Sequence, residues 1–349
     1  MADALRVALV GYGLAGRVFH APLIAATPGL LLHTVVSSDA AKVHADHPDS
    51  RVIASPQMAF DDPAIDLVVI ASPNATHAPL AIAALRAGRH VVVDKPFAID
   101  LGEAKQVADV ARASDRLLTV FHNRRWDADF LAMQSLLAEG TLGDIAEVHS
   151  HFDRFRPVVP DRWRERRGPG AGLWLDLGPH LVDQALQLFG RPEAVQADIA
   201  IQRAGAEVDD WFHVALRYPR LRVMLHAGAL VPGAGLRFAV HGTRGSWFKY
   251  GLDPQEAALR DGAVPGGDDW GVDPSPGRLL RVEADGTIVE GASPAPAGNY
   301  RAFYAGVRDA IRGDATPPVT LDAALDVMRV LQAAIDSAAS GRVVTPQDG

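Results

Sequence analysis

Three side chains in this sequence can move a proton or hold charge while a bond is made or broken. Asp176 and His180 stand four positions apart in "GLWLDLGPHLVD", residues 172–183, a spacing that places both on one face of a helix within reach of each other. A carboxylate beside an imidazole fixes its tautomer and raises its basicity, which makes His180 a competent proton acceptor near neutral pH. Pro179 lies between them, so the helix begins nearby or kinks there. Lys95 ends the apolar run "VVVDKPF", where an ammonium is costly to desolvate unless it has a partner or a task. It can stabilise negative charge on a substrate oxygen, or serve as the base itself if burial and a cationic neighbour lower its pKa. Two assignments of the base therefore stand. Away from any site, the Asp176–His180 pair would be a surface ion pair on a helix.

A second chemistry is written at the N-terminus. In "ALVGYGLAGRVFHAPLI", residues 8–24, an apolar run enters Gly11, Gly13 and Gly16 before a helical pattern begins. Gly11 suits the tight turn, Gly13 leaves room for a pyrophosphate against the backbone, and Gly16 lets the helix lie close on the strand. Unpaired N–H groups at the positive helix end would meet the phosphates. About 20 residues on, the next strand ends in "VVSSDAAK". An acid there would bond an adenosine 2′-hydroxyl and repel a 2′-phosphate. Ser37 and Ser38, with Lys42 one turn later, suit a phosphate better than a diol, so NADP is expected, with NAD the alternative. Asp39 either caps the following helix or turns in to the ribose. In "SPNATH", Ser72 to His77, Pro73 stops a strand; Asn74 either offers its amide to a ribose or only turns the chain.

These stretches together resemble a family. GYGLAG, SPNATH and DKP, in this order and spacing, are similar to the Gfo/Idh/MocA oxidoreductases, named for glucose-fructose oxidoreductase, inositol dehydrogenase and a rhizopine-catabolism protein. "GLWLDLGPHLVD" matches that family's second-domain signature, and the resemblance covers essentially the whole chain. "FHNRRWDADF", "KYGLDPQEAALRDG" with "DDWGVDP", and "GNYRAFYAGVRDAI" are similar to a bacterial subgroup that includes NADP-dependent scyllo-inositol dehydrogenases. One departure is Asp94, where the family motif usually has Glu.

The resemblance implies that Lys95, Asp176 and His180 line the site where a substrate carbinol faces the nicotinamide. The reaction it implies is hydride transfer, with His180, held by Asp176, taking the hydroxyl proton. It implies a cofactor held by Gly11, Tyr12, Gly13, Leu14, Ala15 and Gly16, by Ser37, Ser38 and Lys42, by Ser72, Pro73, Asn74 and His77, and by Asp94, Lys95 and Pro96. The Lys95–Pro96 peptide is expected to be cis. His122, Asn123 and Tyr300 sit in the subgroup motifs and are candidates to contact substrate or nicotinamide. The expected substrate is a cyclitol or sugar-like polyol. A dihydrodiol- or biliverdin-type reductase is another substrate class. A dinucleotide-sensing regulator without chemistry is a third reading, against which the intact Lys95, Asp176 and His180 argue.

"RFRPVVPDRWRERR", Arg154 to Arg167, holds six arginines and two acids just before the His180 helix. It reads as a wall of a substrate pocket or as a solvated loop, with Trp163 the candidate to pack on a sugar or cyclitol face. His149 and His151 alternate onto one strand face as metal ligands would, but no third ligand is evident, and no metal is expected.

The elements that must position these residues are strand–helix–strand units over 1–122 and neighbouring strands over 123–349. The first part has apolar runs at 30–36, 66–71, 90–94 and 117–121 with helices between them, which predicts a doubly wound parallel Rossmann sheet. The second has runs at 144–156, 193–201, 208–217, 221–230, 235–242 and 246–250 on short loops, interrupted by a helix over 173–189. That predicts an α+β domain with an open, predominantly antiparallel sheet. Several of its strands have two distinct faces, so the sheet needs two covers: the helix on one side and a second subunit on the other, in a homodimer or homotetramer. Residues 251–298 read as a long loop holding one small helix, capped by Asp253 with Pro254 first. Two helices close the chain, near 300–312 and 321–339.

Bulk composition agrees with this reading. At 349 residues the chain suggests two domains. A net charge of −8 argues against a nucleic-acid partner. No cysteine is present, which removes disulfides and thiolate chemistry and fits a reducing cytoplasm. No run of 18 apolar residues is found, and the first strand follows the N-terminus without signal-peptide anatomy, so no membrane association is expected.

Overall fold

Strand β1 (Leu5–Val10) is buried over its last four residues because helices cover both faces of a parallel sheet. With β2 (Leu30–Val36), β3 (Arg51–Ile53), β4 (Leu67–Ile70), β5 (His90–Val93) and β6 (Leu118–Val120) it forms a six-stranded sheet in the order β3-β2-β1-β4-β5-β6. Every pairing in it is parallel. The strand order reverses at β1, and ligands of such sheets bind beyond the carboxyl ends of the strands at that switch point. The intervening helices are α1 (Ala21–Ala25), α2 (Ala40–Asp46), α3 (Pro56–Phe60), α4 (His77–Arg86) and α5 (Leu101–Ser114). A π-helical turn, Gly16–His20, leads into α1. This computed structural model describes residues 4–347; residues 1–3, where the absence of signal-peptide anatomy was read, lie outside them.

After α6 (Ala128–Ala138) come β7 (Ile145–His151), α7 (Leu173–Phe189), β8 (Ala194–Ala200), β9 (Trp211–Arg217), β10 (Arg222–Gly228), β11 (Leu236–Gly242) and β12 (Gly245–Tyr250). Then follow α8 (Gln255–Arg260), β13 (Gly277–Val282), β14 (Ile288–Ser293), α9 (Arg301–Arg312) and α10 (Leu321–Ser340). The second sheet has eight strands in the order β14-β13-β12-β11-β7-β10-β9-β8. Only β7–β10 is parallel. Phe212, Val214, Leu216, Val223 and Leu225 are buried on the face that meets α7, while the residues alternating with them are more exposed.

One expectation needs correction. Residues 251–298 hold the β13–β14 hairpin as well as α8. In β14 every residue but the last is exposed, so it lacks the apolar alternation by which a half-buried strand is recognised. The small helix α8 begins at Gln255, just after Asp253 and Pro254, and Asp253 also reaches α6. Its carboxylate accepts the Ala128 N–H at 2.8 Å, satisfying an orphan donor at the start of α6.

By internal contacts the chain groups into two units: residues 1–123, 255–270 and 299–325, and residues 124–254, 271–298 and 326–349. Segments 255–270 and 299–325, which a division in chain order assigns to the second domain, thus group with the first unit. Its aromatic core shows this, with Phe303 and Tyr304 of α9 against Phe121 and His20.

Candidate active site

The glycine loop is shaped by what a side chain would hit. Gly11 has φ +99°, a conformation that favours glycine. A Cβ on Gly16 would lie 2.1 Å from the Gly11 carbonyl oxygen, so only glycine lets the turn close against the helix. A Cβ on Gly13 would meet nothing within 4 Å, and Gly13 borders a cavity of about 670 Å³ at the strand ends. Gly11, Tyr12, Ser37, Ser38, Asp39, Lys42, Ser72 and Pro73 line the same cavity. Val10, Val36, Ala54, Pro56, Thr76, Pro79 and Leu80 complete it.

Within this wall Asp39 is the N-cap of α2, and its carboxylate accepts the Lys42 N–H at 2.9 Å. The Lys42 ammonium donates to the Tyr12 carbonyl at 3.2 Å. The Tyr12 hydroxyl donates to Asp46 at 3.0 Å, and burial, then that bond, raises its pKa. Ser72 and Thr76 pair their hydroxyls at 2.6 Å. Leu14 is half exposed at the start of the helix. Asn74 and His77 are buried. The two ring nitrogens of His77 lie 2.8 Å from the Pro96 carbonyl and 3.0 Å from the Ser72 carbonyl, tying the loops after β4 and β5 together.

Lys95 is part-buried, and its peptide to Pro96 is cis. Asp94 Oδ1 accepts the Lys95 N–H at 2.8 Å. The same oxygen lies 3.8 Å from His20 Nε2, and His20 Nδ1 is 2.6 Å from the Tyr304 hydroxyl. Burial pushes the Asp94 pKa up, but the nearby His20 ring and the charges of Lys95 and His77 outweigh it and hold it at about 2. Asp94 is therefore an anion at neutral pH in an otherwise buried setting. Burial, then the Asp94 charge, drives the Tyr304 hydroxyl well above its usual range. His122 and Asn123 are buried after β6. Tyr300 is fully buried, its N–H donating to Gln255 at 2.8 Å.

In the second unit α7 carries Asp176 and His180, and Pro179 lies inside it. Its N-cap, Gly172, has φ +96° and no side chain to cap with. Asp209 does that from the β8–β9 connection, accepting the Trp174 N–H on its carboxylate at 2.6 Å and the Leu173 N–H on its backbone oxygen at 2.9 Å. A Cβ on Gly172 would lie 2.0 Å from that carboxylate. Burial raises Asp209 to about 6, against backbone hydrogen bonds that lower it. Asp176 sits in the first turn, 4.0 Å from an Arg154 nitrogen and 3.9 Å from Arg164 Nε. His180 is 6% exposed. Trp163 is 40% exposed, with the Arg164 guanidinium 4.6 Å from its ring centroid. It borders a cavity of about 490 Å³ with Asp161, Arg162, Arg166 and Arg167. Elsewhere in the stretch Glu165 is buried between Arg162 and Arg203.

Two family descriptions match this architecture: "Oxidoreductase family, NAD-binding Rossmann fold" over residues 5–122 and "Oxidoreductase family, C-terminal alpha/beta domain" over residues 134–345. The chain belongs to the Gfo/Idh/MocA oxidoreductase family. It is 52% identical to the oxidoreductase YdgJ of Escherichia coli, with 97% of each chain covered. It is 38% identical to the scyllo-inositol 2-dehydrogenase (NADP(+)) IolW of Bacillus subtilis, covering 98% of this chain and 96% of the relative. Among solved structures, YPO2259 of Yersinia pestis is 49% identical with a TM-score of 0.95, covering 100% of this chain and 99% of the other.

As an oxidoreductase with an NAD(P)-binding Rossmann domain, the protein has a strand-end cavity that fits a dinucleotide: glycine backbone open at Gly13, hydroxyls and an ammonium at the far wall. Thr76, Pro79 and Leu80 line it without having been legible in the sequence, because they belong to it only through the turn and helix that follow SPNATH. His20 and Tyr304 were also missed. They lie 284 positions apart, and no motif joins them.

Proposed function

We propose that this protein is an NADP-dependent dehydrogenase that oxidises a secondary alcohol of a cyclitol or sugar-like polyol, or reduces the corresponding ketone. The observation that carries the cofactor choice is the strand-end wall: Ser37, Ser38 and Lys42 border the cavity while the Asp39 carboxylate is engaged by the Lys42 N–H. A 2′-phosphate there meets donors, and the one nearby acid is committed to its helix. The name of the relative IolW supports both the cofactor and the substrate class.

When bound, the nicotinamide supplies the hydride acceptor. His180 takes the hydroxyl proton, and the Asp176 carboxylate on the same helix favours the charged imidazole that results. Lys95 hydrogen-bonds the substrate oxygen and stabilises its developing negative charge. Asp94, anionic and bonded to the Lys95 N–H, fixes the backbone from which that lysine projects. Trp163, with exposed ring surface, offers a stacking face to the polyol. We assign the protein to the cytoplasm and to a homo-oligomer built on the outer face of the second sheet.

The test is initial-rate kinetics with NADP⁺ and NAD⁺ over inositol isomers and aldoses. The reading expects turnover of at least one cyclitol, with kcat/KM about tenfold or more in favour of NADP⁺. Preference for NAD⁺ overturns the cofactor assignment, and activity confined to non-polyol substrates overturns the substrate class.

A further inference from the structure

The face of the second sheet turned away from α7 gathers histidines. Strands β7, β10 and β9 pair in a register that sets His151 opposite His226, and His226 opposite His213. The His226 ring centroid is 4.9 Å from that of His151 and 5.7 Å from that of His213. Asp153, just past the end of β7, carries its carboxylate to the first pair. Its Oδ2 lies 3.4 Å from His151 Nδ1 and its Oδ1 3.4 Å from His226 Nε2.

The carboxylate is itself held, accepting the Gly228 N–H at 2.9 Å. One ligand atom from each of the three residues lies within 4.8 Å of the other two. With bonds of about 2.0–2.1 Å to nitrogen and oxygen, tetrahedral ligand atoms stand roughly 3.3 Å apart. The two 3.4 Å separations run to the two oxygens of one carboxylate, one to each ring, so the three side chains need only small rotations to reach that spacing.

We propose that His151, Asp153 and His226 bind a divalent transition-metal ion of the zinc, cobalt or nickel class, with the remaining position open to water. Two imidazoles and one carboxylate suit these ions, whereas calcium and magnesium prefer all-oxygen shells. All three ligands come from one chain, on the sheet face assigned above to subunit contact. The ion clamps the end of β7 to β10 at the residue before Arg154, whose guanidinium faces Asp176 at 4.0 Å. Its role is thus to steady the arginine beside the proposed proton-transfer pair. The sequence shows His149 and His151 alone; the third ligand appears only when register brings in a strand some 75 positions later.

Isothermal titration of chelator-treated, tag-free full-length protein with ZnCl₂ tests this, with CoCl₂ absorbance reporting the ligand field. The expected result is one ion per chain, with binding weakened roughly tenfold or more by Asp153→Asn and by His226→Ala. His241→Ala, on β11, should bind as the parent does. Circular dichroism confirms folding, and the isosteric Asp153→Asn carries the test if His226→Ala does not fold. No zinc binding by the parent, or parent-like affinity in Asp153→Asn, overturns the proposal.

Discussion

Gly13→Ala and Gly16→Ala separate what the glycine loop does for the ligand from what it does for the fold. At Gly13 an added Cβ meets nothing within 4 Å, and the backbone has no positive φ among those recorded for glycines here. Alanine therefore adds no strain, and the apoprotein should melt with the parent. The new methyl instead occupies space at the cavity wall, where a pyrophosphate must approach the backbone. Losing one charge-assisted hydrogen bond costs ~1.5–3 kcal/mol, so NADPH should bind about 10- to 100-fold more weakly. At Gly16 the Cβ would sit 2.1 Å from the Gly11 oxygen and 3.0 Å from its carbon. Both are backbone atoms, so the loop itself must shift, at an overpacking cost of ~1–3 kcal/mol. At ~2–4 °C per kcal/mol, Gly16→Ala should lower the apoprotein Tm by several degrees. Scanning fluorimetry of the ligand-free variants and fluorescence titration with NADPH read the two effects independently. If Gly13→Ala binds NADPH as tightly as the parent, the loop is a tight turn and not a pyrophosphate site. An unchanged Tm in Gly16→Ala would refute the packing argument.

Ser38→Asp should reverse the cofactor preference by setting a carboxylate where a 2′-phosphate is expected; steady-state kinetics with both cofactors check it, and retained NADP⁺ preference counts against the assignment. His180→Ala should lower turnover by ~10²–10⁴ while NADPH affinity stays near the parent value; turnover within a few fold of the parent would transfer the base role to Lys95. Asp209 has a folded pKa of about 6, above its usual 3.8, so the folded state holds the extra proton between those values and its stability falls as pH rises through that window. Asp209→Asn keeps an acceptor for the Trp174 N–H, so its Tm relative to the parent should climb from pH 4 to pH 6 and then level; a flat difference would show that burial does not raise this carboxyl.

The first sheet was legible because its parallel strands are near-continuous apolar runs, and turn formers such as Gly11 and Pro73 mark where they end. The alternating strands of the second sheet were legible too, since one face meets α7. The β13–β14 hairpin was not, because Ile288 to Ala292 are exposed and periodicity marks only half-buried strands. Capping across the chain was equally hidden. Asp253 serves α6 and Asp209 serves α7, whereas sequence patterns reveal only caps supplied by adjacent residues. The motif residues Gly13, Ser38 and Lys42 lie on one cavity, as their spacing implied. The His20–Tyr304 contact and the His151–His226 pairing needed tertiary structure, since no local pattern encodes register between distant strands.

The central claim is hydride transfer from a polyol carbinol to NADP⁺, and isotope transfer measures it most directly. A cyclitol carrying deuterium on its carbinol carbons is incubated with the protein and NADP⁺, and the recovered NADPH is weighed by mass spectrometry. The account predicts one deuterium on the nicotinamide ring of each NADPH formed. NADPH without the label, or no NADPH formed from any cyclitol while the protein binds the cofactor, would contradict it.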